Sequence, residues 1–180
     1  MNAHNDSAFV VGIICIPYTS LCDKTSADTV TVAEISSFQL ETIHTFKPHV
    51  SAILNITPDH LNRHYTFENY ANCKLDITKN QEITDYAIFN YDDPDTRARA
   101  NVSNVKRIFF SRTEMLEEGV IVVDGNIVVR EAGRETVVLA VDDIKLLGVH
   151  NLENVLAAVA MTYYMGVPVE TIKKVCCEFM

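Results

Sequence analysis

Four polar clusters interrupt the apolar runs of this chain, and each holds residue types that phosphate and metal chemistry needs. Glu34 follows the run Thr29-Val30-Thr31-Val32-Ala33. A carboxylate at the end of an apolar strand is where nucleotide-hydrolysing folds keep a ligand for Mg²⁺; the plain alternative is a strand-end carboxylate facing water. Ser36 and Gln39 lie just beyond it. Val50 to Leu54 leads in the same way into Asn55-Ile56-Thr57-Pro58-Asp59-His60, which makes His60 a second strand-end candidate or a surface-loop histidine. Lys74 falls on the apolar face Phe67, Tyr70, Ala71, Lys74, Leu75, Thr78, at helical spacing. It is either a snorkelling lysine or a desolvated amine of lowered pKa. A neutral amine can add CO₂ to become a carbamate, an oxygen ligand of the kind Mg²⁺ prefers. Asn151 and Asn154, in Gly148-Val149-His150-Asn151-Leu152-Glu153-Asn154, open a helix, with Asn151 either its N-cap or an amide beside a nucleotide.

Those clusters need strands and helices to hold them. Val- and Ile-rich runs alternate with helix-period segments, which predicts an α/β domain: a mostly parallel sheet flanked by helices. The expected elements are a strand at Thr29–Ile35, a helix from Ser36 to about Phe46, and a strand at Val50–Ile56. A helix from Thr66 to about Asn80 and strands at Tyr86–Asn90 and Arg107–Phe110 follow. Ser36 with Gln39 three residues on forms a capping box, and Pro48 stops that first helix. Val120 to Val129 turns at Asp124-Gly125-Asn126 and reads as a β-hairpin, with Val137–Val141 as a further strand, so a small antiparallel annex is expected. Asn151 to about Met165 is helical and Gly166 ends it. Pro168 suits the first turn of a last helix.

Composition narrows the function. The 180 residues suffice for one domain, 48% are apolar, and the formal net charge is -9. Such acidity argues against nucleic acid as a partner. No apolar run spans a bilayer. The polar start, Met1 to Val10, lacks the order of a signal peptide, so the expected address is cytoplasmic with no membrane partner. Cys15, Cys22, Cys73, Cys176 and Cys177 form no C-x-x-C pair and read as free thiols without structural zinc.

Four stretches carry a family resemblance. They are Ala33-Glu34-Ile35-Ser36-Ser37-Phe38-Gln39-Leu40-Glu41, Leu54 through His64, Tyr70-Ala71-Asn72-Cys73-Lys74, and Gly148 through Asn154. In this order they closely resemble the motifs of the Mur ligase family, and Ser36 to Glu41 looks like the D-glutamate-adding branch. The resemblance covers about Val10 to the chain end. It implies the family's central, ATP-binding domain and an ATP-dependent acid–D-amino-acid ligation: ATP phosphorylates the carboxylate of UDP-N-acetylmuramoyl-L-alanine, and the amine of D-glutamate attacks the acyl phosphate. It further implies that Glu34 binds the Mg²⁺ bridging the ATP phosphates, and that His60 and carbamoylated Lys74 serve a second Mg²⁺. Ser36 and Gln39 would line the substrate site, and Asn151 and Asn154 would contact ATP.

Departures from the family pattern are visible. No G-x-x-x-x-G-K-S/T occurs. The family's phosphate loop is therefore expected to precede residue 1, and its N-terminal UDP-binding and C-terminal domains are expected to be absent or supplied in trans. The isolated chain is then expected to be a poor or dead catalyst. Ile13 and Cys15 replace an amide and a glycine, Asn62 an aspartate, and Asn72 and Cys73 small residues. The competing readings are another amide ligase of the superfamily and a non-catalytic remnant that binds a nucleotide or a partner.

Overall fold

The computed structural model describes residues 8–13, 16–102, 104–146 and 148–179. Two parallel strands, β1 (Ala8–Gly12) and β2 (Val30–Glu34), form a small sheet of their own, in register from Ala8 opposite Val30 to Gly12 opposite Glu34. Gly12 is required at that last pair. Its φ is +127°, and a Cβ there would lie 2.3 Å from the carbonyl oxygen of Glu34. Strand β1 was not expected, because it is short and follows a polar start.

The main sheet has six strands in sequential order: β3 (Val50–Ile53), β4 (Tyr86–Asn90), β5 (Lys106–Ser111), β6 (Gly119–Val123), β7 (Asn126–Glu131) and β8 (Arg134–Ala140). Strands β3 to β6 pair in parallel and β6 to β8 antiparallel. The expected antiparallel annex is present as β6 to β8, and it extends the main sheet because β6 pairs directly with β5. Both hairpins turn on two residues of positive φ, Asp124-Gly125 and Ala132-Gly133, which match the twist of the flanking strands.

Apolar side chains on both faces explain the three-layer arrangement. On β4, Ile88 points to one core and Ala87 and Phe89 to the other. The first core is filled from above by α5 (Val149–Tyr164) and α6 (Val169–Glu178), through Leu156, Val159, Ala160 and Ile172. The second is covered by α3 (Phe67–Leu75), through Tyr70 and Ala71, together with Ile53 and Ile56.

The short helices differ from expectation. Helix α1 spans only Ser37–Leu40 instead of reaching Phe46. Thr42, Ile43 and Thr45 are β-branched, and Pro48 biases its predecessor away from helix. Helix α3 stops at Leu75 and tightens into a 3-10 turn over Asp76–Thr78. Helix α2 (Leu61–His64) was not expected, and α4 (Pro94–Arg99) starts at a Pro with Asp93 as its cap. The cap of α5 is Gly148, at φ 101°, not Asn151, which lies one turn inside.

Candidate functional site

Parallel strands present their carboxyl ends on one side, and the polar clusters gather there. Strand β2 ends in Glu34, whose exposed carboxylate makes no ion pair with a described residue. The chain then turns into α1 through the capping box: the Ser36 amide donates to Gln39 Oε1 at 2.9 Å, and the Gln39 amide donates to Ser36 Oγ at 3.2 Å. Gln39 Oε1 is thereby spent on the cap. The two N–H donors of Nε2 have no partner among the described residues.

Strand β3 runs into Asn55, and the chain reverses at His60, an exposed residue in left-handed conformation at φ 53° and ψ 30°. Histidine tolerates that region better than most residues. The turn aims the imidazole at Phe38, 4.8 Å between ring centroids, and at the edge of Tyr70, at 6.4 Å. Lys74 reaches the same place from α3. Its stem is half-buried, Nζ donates to the Asn55 carbonyl at 3.2 Å, and it lies 5.3 Å from the Tyr70 ring centre. Tyr70 is therefore the common wall for His60 and Lys74. Its type and helical position marked it as core, and nothing in its spacing showed this second role.

The β2 and β3 ends are tied together through α1. Ser37 Oγ and His64 Nε2 lie 3.0 Å apart, and Cys73 Sγ donates to the Ser37 carbonyl at 2.9 Å. Ser37 is three residues from Glu34, and Cys73 is next to Lys74, so these contacts fix the spacing of the candidate metal residues. Burial pushes the Cys73 thiol up from its ordinary pKa, helped by the Asp76 and Glu41 carboxylates. Arg63 grips both oxygens of Glu41 and holds that carboxyl below the usual range.

The other half of the strand-end face comes from β4, β5 and α5. Asp92 follows β4 and accepts hydrogen bonds from Ser111 Oγ at 2.6 Å, Thr113 Oγ1 at 2.6 Å and the Arg112 amide at 2.8 Å. Burial alone would raise its pKa, but these donors win and hold it below the ordinary value. Arg112 Nε in turn donates to Glu153 Oε1 at 2.8 Å and pins the first turns of α5 to the end of β5. Asn154 is exposed there and Asn151 is half-buried. Asp92 and Arg112 were missed from sequence because single charged residues in short loops carry no spacing signal.

The donor set fits a hard cation in part. Glu34 supplies an exposed carboxylate and His60 an exposed imidazole whose Nδ1 lies 3.5 Å from Asp59. Lys74, as an ammonium, repels a cation and becomes a ligand only as a carbamate. Ile13 is exposed, and Cys15 lies outside the described residues.

A model of the Mur ligase middle domain matches residues 14–162. The chain belongs to the Mur ligase family. Curated relatives extend this Mur ligase assignment across nearly the whole chain. It is 46% identical over 179 residues to the UDP-N-acetylmuramoylalanine--D-glutamate ligase of Lachnoclostridium phytofermentans, covering 99% of this chain and 39% of that protein. It is 50% identical over 164 residues to the ligase of the same name from Alkaliphilus oremlandii, covering 91% of this chain and 36% of that one. The chain thus spans under two fifths of the length of these relatives. The fold agrees with that of the MurF ligase from Thermotoga maritima in complex with ADP, with a TM-score of 0.67, 17% identity, and coverage of 99% of this chain and 44% of that one. A MurF from Acinetobacter baumannii aligns at a TM-score of 0.62 and 21% identity over 84% of this chain and 34% of that one. Mur ligases are ATP-dependent amide ligases. Among the described residues no helix is long and apolar enough to cross a membrane.

Proposed function

We propose that this chain is the middle domain of a cytoplasmic ligase that adds D-glutamate to UDP-N-acetylmuramoyl-L-alanine with cleavage of ATP. The observation that carries this reading is that Lys74 from α3 bonds the Asn55 carbonyl just beyond β3 and shares the Tyr70 ring with His60, while Cys73 beside it bonds Ser37, three residues from Glu34. The relatives' printed names supply the substrates.

In the proposed reaction a carboxylate oxygen of the muramoyl-alanine attacks the γ-phosphorus of ATP, and ADP leaves. The amine of D-glutamate then attacks the acyl carbon, gives up a proton, and expels phosphate. Bound Mg²⁺ would neutralise charge on the phosphoryl oxygens in both steps. In this reading Glu34 would hold the cation on the nucleotide side, and His60 and Lys74 would serve a second cation. Lys74 needs CO₂ for this: its neutral amine forms an N–C bond, releases one proton, and becomes a carboxylate. Gln39 Nε2 and Ser36 face the muramoyl-peptide, and Asn151 and Asn154 face the nucleotide at the positive end of α5.

The test is a chimera in which this chain replaces the matching segment of the Lachnoclostridium phytofermentans ligase. Its expected product is UDP-N-acetylmuramoyl-L-alanyl-D-glutamate, with KM for the UDP precursor raised in Gln39→Ala. A folded chimera that releases no phosphate, or prefers another amino acid, overturns the proposal.

A further inference from the structure

A second group of ligand atoms lies among the contacts that tie α1, α2 and α3 together, in three side chains given no role in the proposed reaction. Glu41, His64 and Cys73 each offer one ligand atom, and these atoms all lie within 4.8 Å of one another. They come from three elements: Glu41 caps the end of α1, His64 ends α2, and Cys73 lies in the last turn of α3. The His64 side chain is 4% exposed, held between Phe38, stacked at 5.6 Å, and Tyr70 at 5.4 Å. Cys73 is 7% exposed.

We propose that Glu41, His64 and Cys73 form a binding site for a thiophilic divalent cation such as Zn²⁺. The ligand types decide the cation. A thiolate and an imidazole with a single carboxylate suit zinc and not Mg²⁺, which takes oxygen. Tetrahedral bonds of about 2.0–2.3 Å require ligand atoms about 3.3–3.8 Å apart. His64 Nδ1 and Glu41 Oε1 already stand at 3.5 Å. Closing the remainder takes rotation of the Glu41 and Cys73 side chains. Cys73 gives up the proton it now donates to the Ser37 carbonyl, and that proton leaves to solvent. The thiolate and the carboxylate then offset the dication, and the Arg63 guanidinium beside them leaves one net positive charge. Glu41 Oε1 exchanges its 3.3 Å contact with Arg63 Nε for the cation, while Oε2 stays with Arg63 Nη2. Three protein ligands leave the fourth position to water.

The site does not depend on the ligase reading. Its consequence would be mechanical: the cation fastens α1, α2 and α3 together, one residue from Lys74 and a few from Glu34.

Cobalt(II) is the probe, added to the purified chain under a non-thiol reductant. The expected result is a thiolate-to-cobalt absorption saturating at one ion per chain and displaced by Zn²⁺. It is lost in Cys73→Ala and kept in the Cys176→Ala/Cys177→Ala double variant. His64→Gln, which retains a polar partner for Ser37, weakens cobalt binding by about 100-fold, since losing even a partner that merely orients a ligand costs about 10- to 100-fold. No thiolate–cobalt band, a band that survives in folded Cys73→Ala, or unchanged affinity in His64→Gln overturns the proposal.

Discussion

At Lys74 the stem is half-buried and Nζ is held on a backbone carbonyl beside an aromatic face. A lysine that merely snorkels would serve equally well as an arginine, because both keep a charged tip. A carbamate cannot form on a guanidinium. Lys74→Arg in the chimera is therefore expected to cut phosphate release by about 100-fold or more, the scale of losing one charge-stabilising group at a reacting centre. Near-normal release would reduce Lys74 to a simple cation. Asp92 allows a stability test that needs no substrate. Its three donors lose their acceptor charge in Asp92→Asn, and the new amide turns its own donors towards one of them. Urea unfolding at neutral pH should show a loss of about 1–3 kcal/mol. The folded pKa lies below the ordinary one, so this stabilisation is present above the unfolded value of about 3.9 and lost as pH falls through the folded value. The wild-type chain should accordingly lose more stability than Asp92→Asn between neutral pH and that acid window.

Among the elements, those with a strong period or a strong stop were legible. Strand β4 matches its sequence reading at both ends, and the capping box at Ser36 and Gln39 is formed as read. The Asp124-Gly125 turn also appears where the glycine required it. Elements set by tertiary contact were not legible. Strand β1 exists through its pairing with β2, α2 is a single turn held by His60 in left-handed conformation, and α1 is cut short by β-branched neighbours. The Ala132-Gly133 turn escaped notice because alanine is a poor residue for positive φ. Ala132 has φ 50°, where asparagine is favoured. Ala132→Asn should raise stability by about 0.5–1 kcal/mol, part of the roughly 1–2 kcal/mol cost of that conformation. A lower melting temperature in the variant would show that the turn is held by something other than local backbone preference.

Across the whole molecule, the parallel strands β3, β4 and β5 present their carboxyl ends together, the start of α5 is tied to the end of β5, and the segment after β2 is tied to α3 through Ser37 and Cys73. Among the family motifs found in the sequence, Glu34 closes β2, His60 lies in the turn that follows β3, and Asn154 sits in the second turn of α5. The contacts that hold them in place could not be read beforehand, because Ser37–Cys73, Arg112–Glu153 and Lys74–Asn55 each join residues remote in sequence. In the proposed reaction Glu34 would hold the metal of Mg·ATP at the end of β2. The most direct measurement is calorimetric titration of the chimera with Mg·ATP, for the unaltered chain and for Glu34→Ala. Removing a carboxylate that a cation bridges to phosphate should weaken binding by about tenfold or more, roughly the 1.4 kcal/mol that a single charged contact supplies. Equal affinity in the folded Glu34→Ala chimera would contradict the claim and leave the end of β2 outside the nucleotide site.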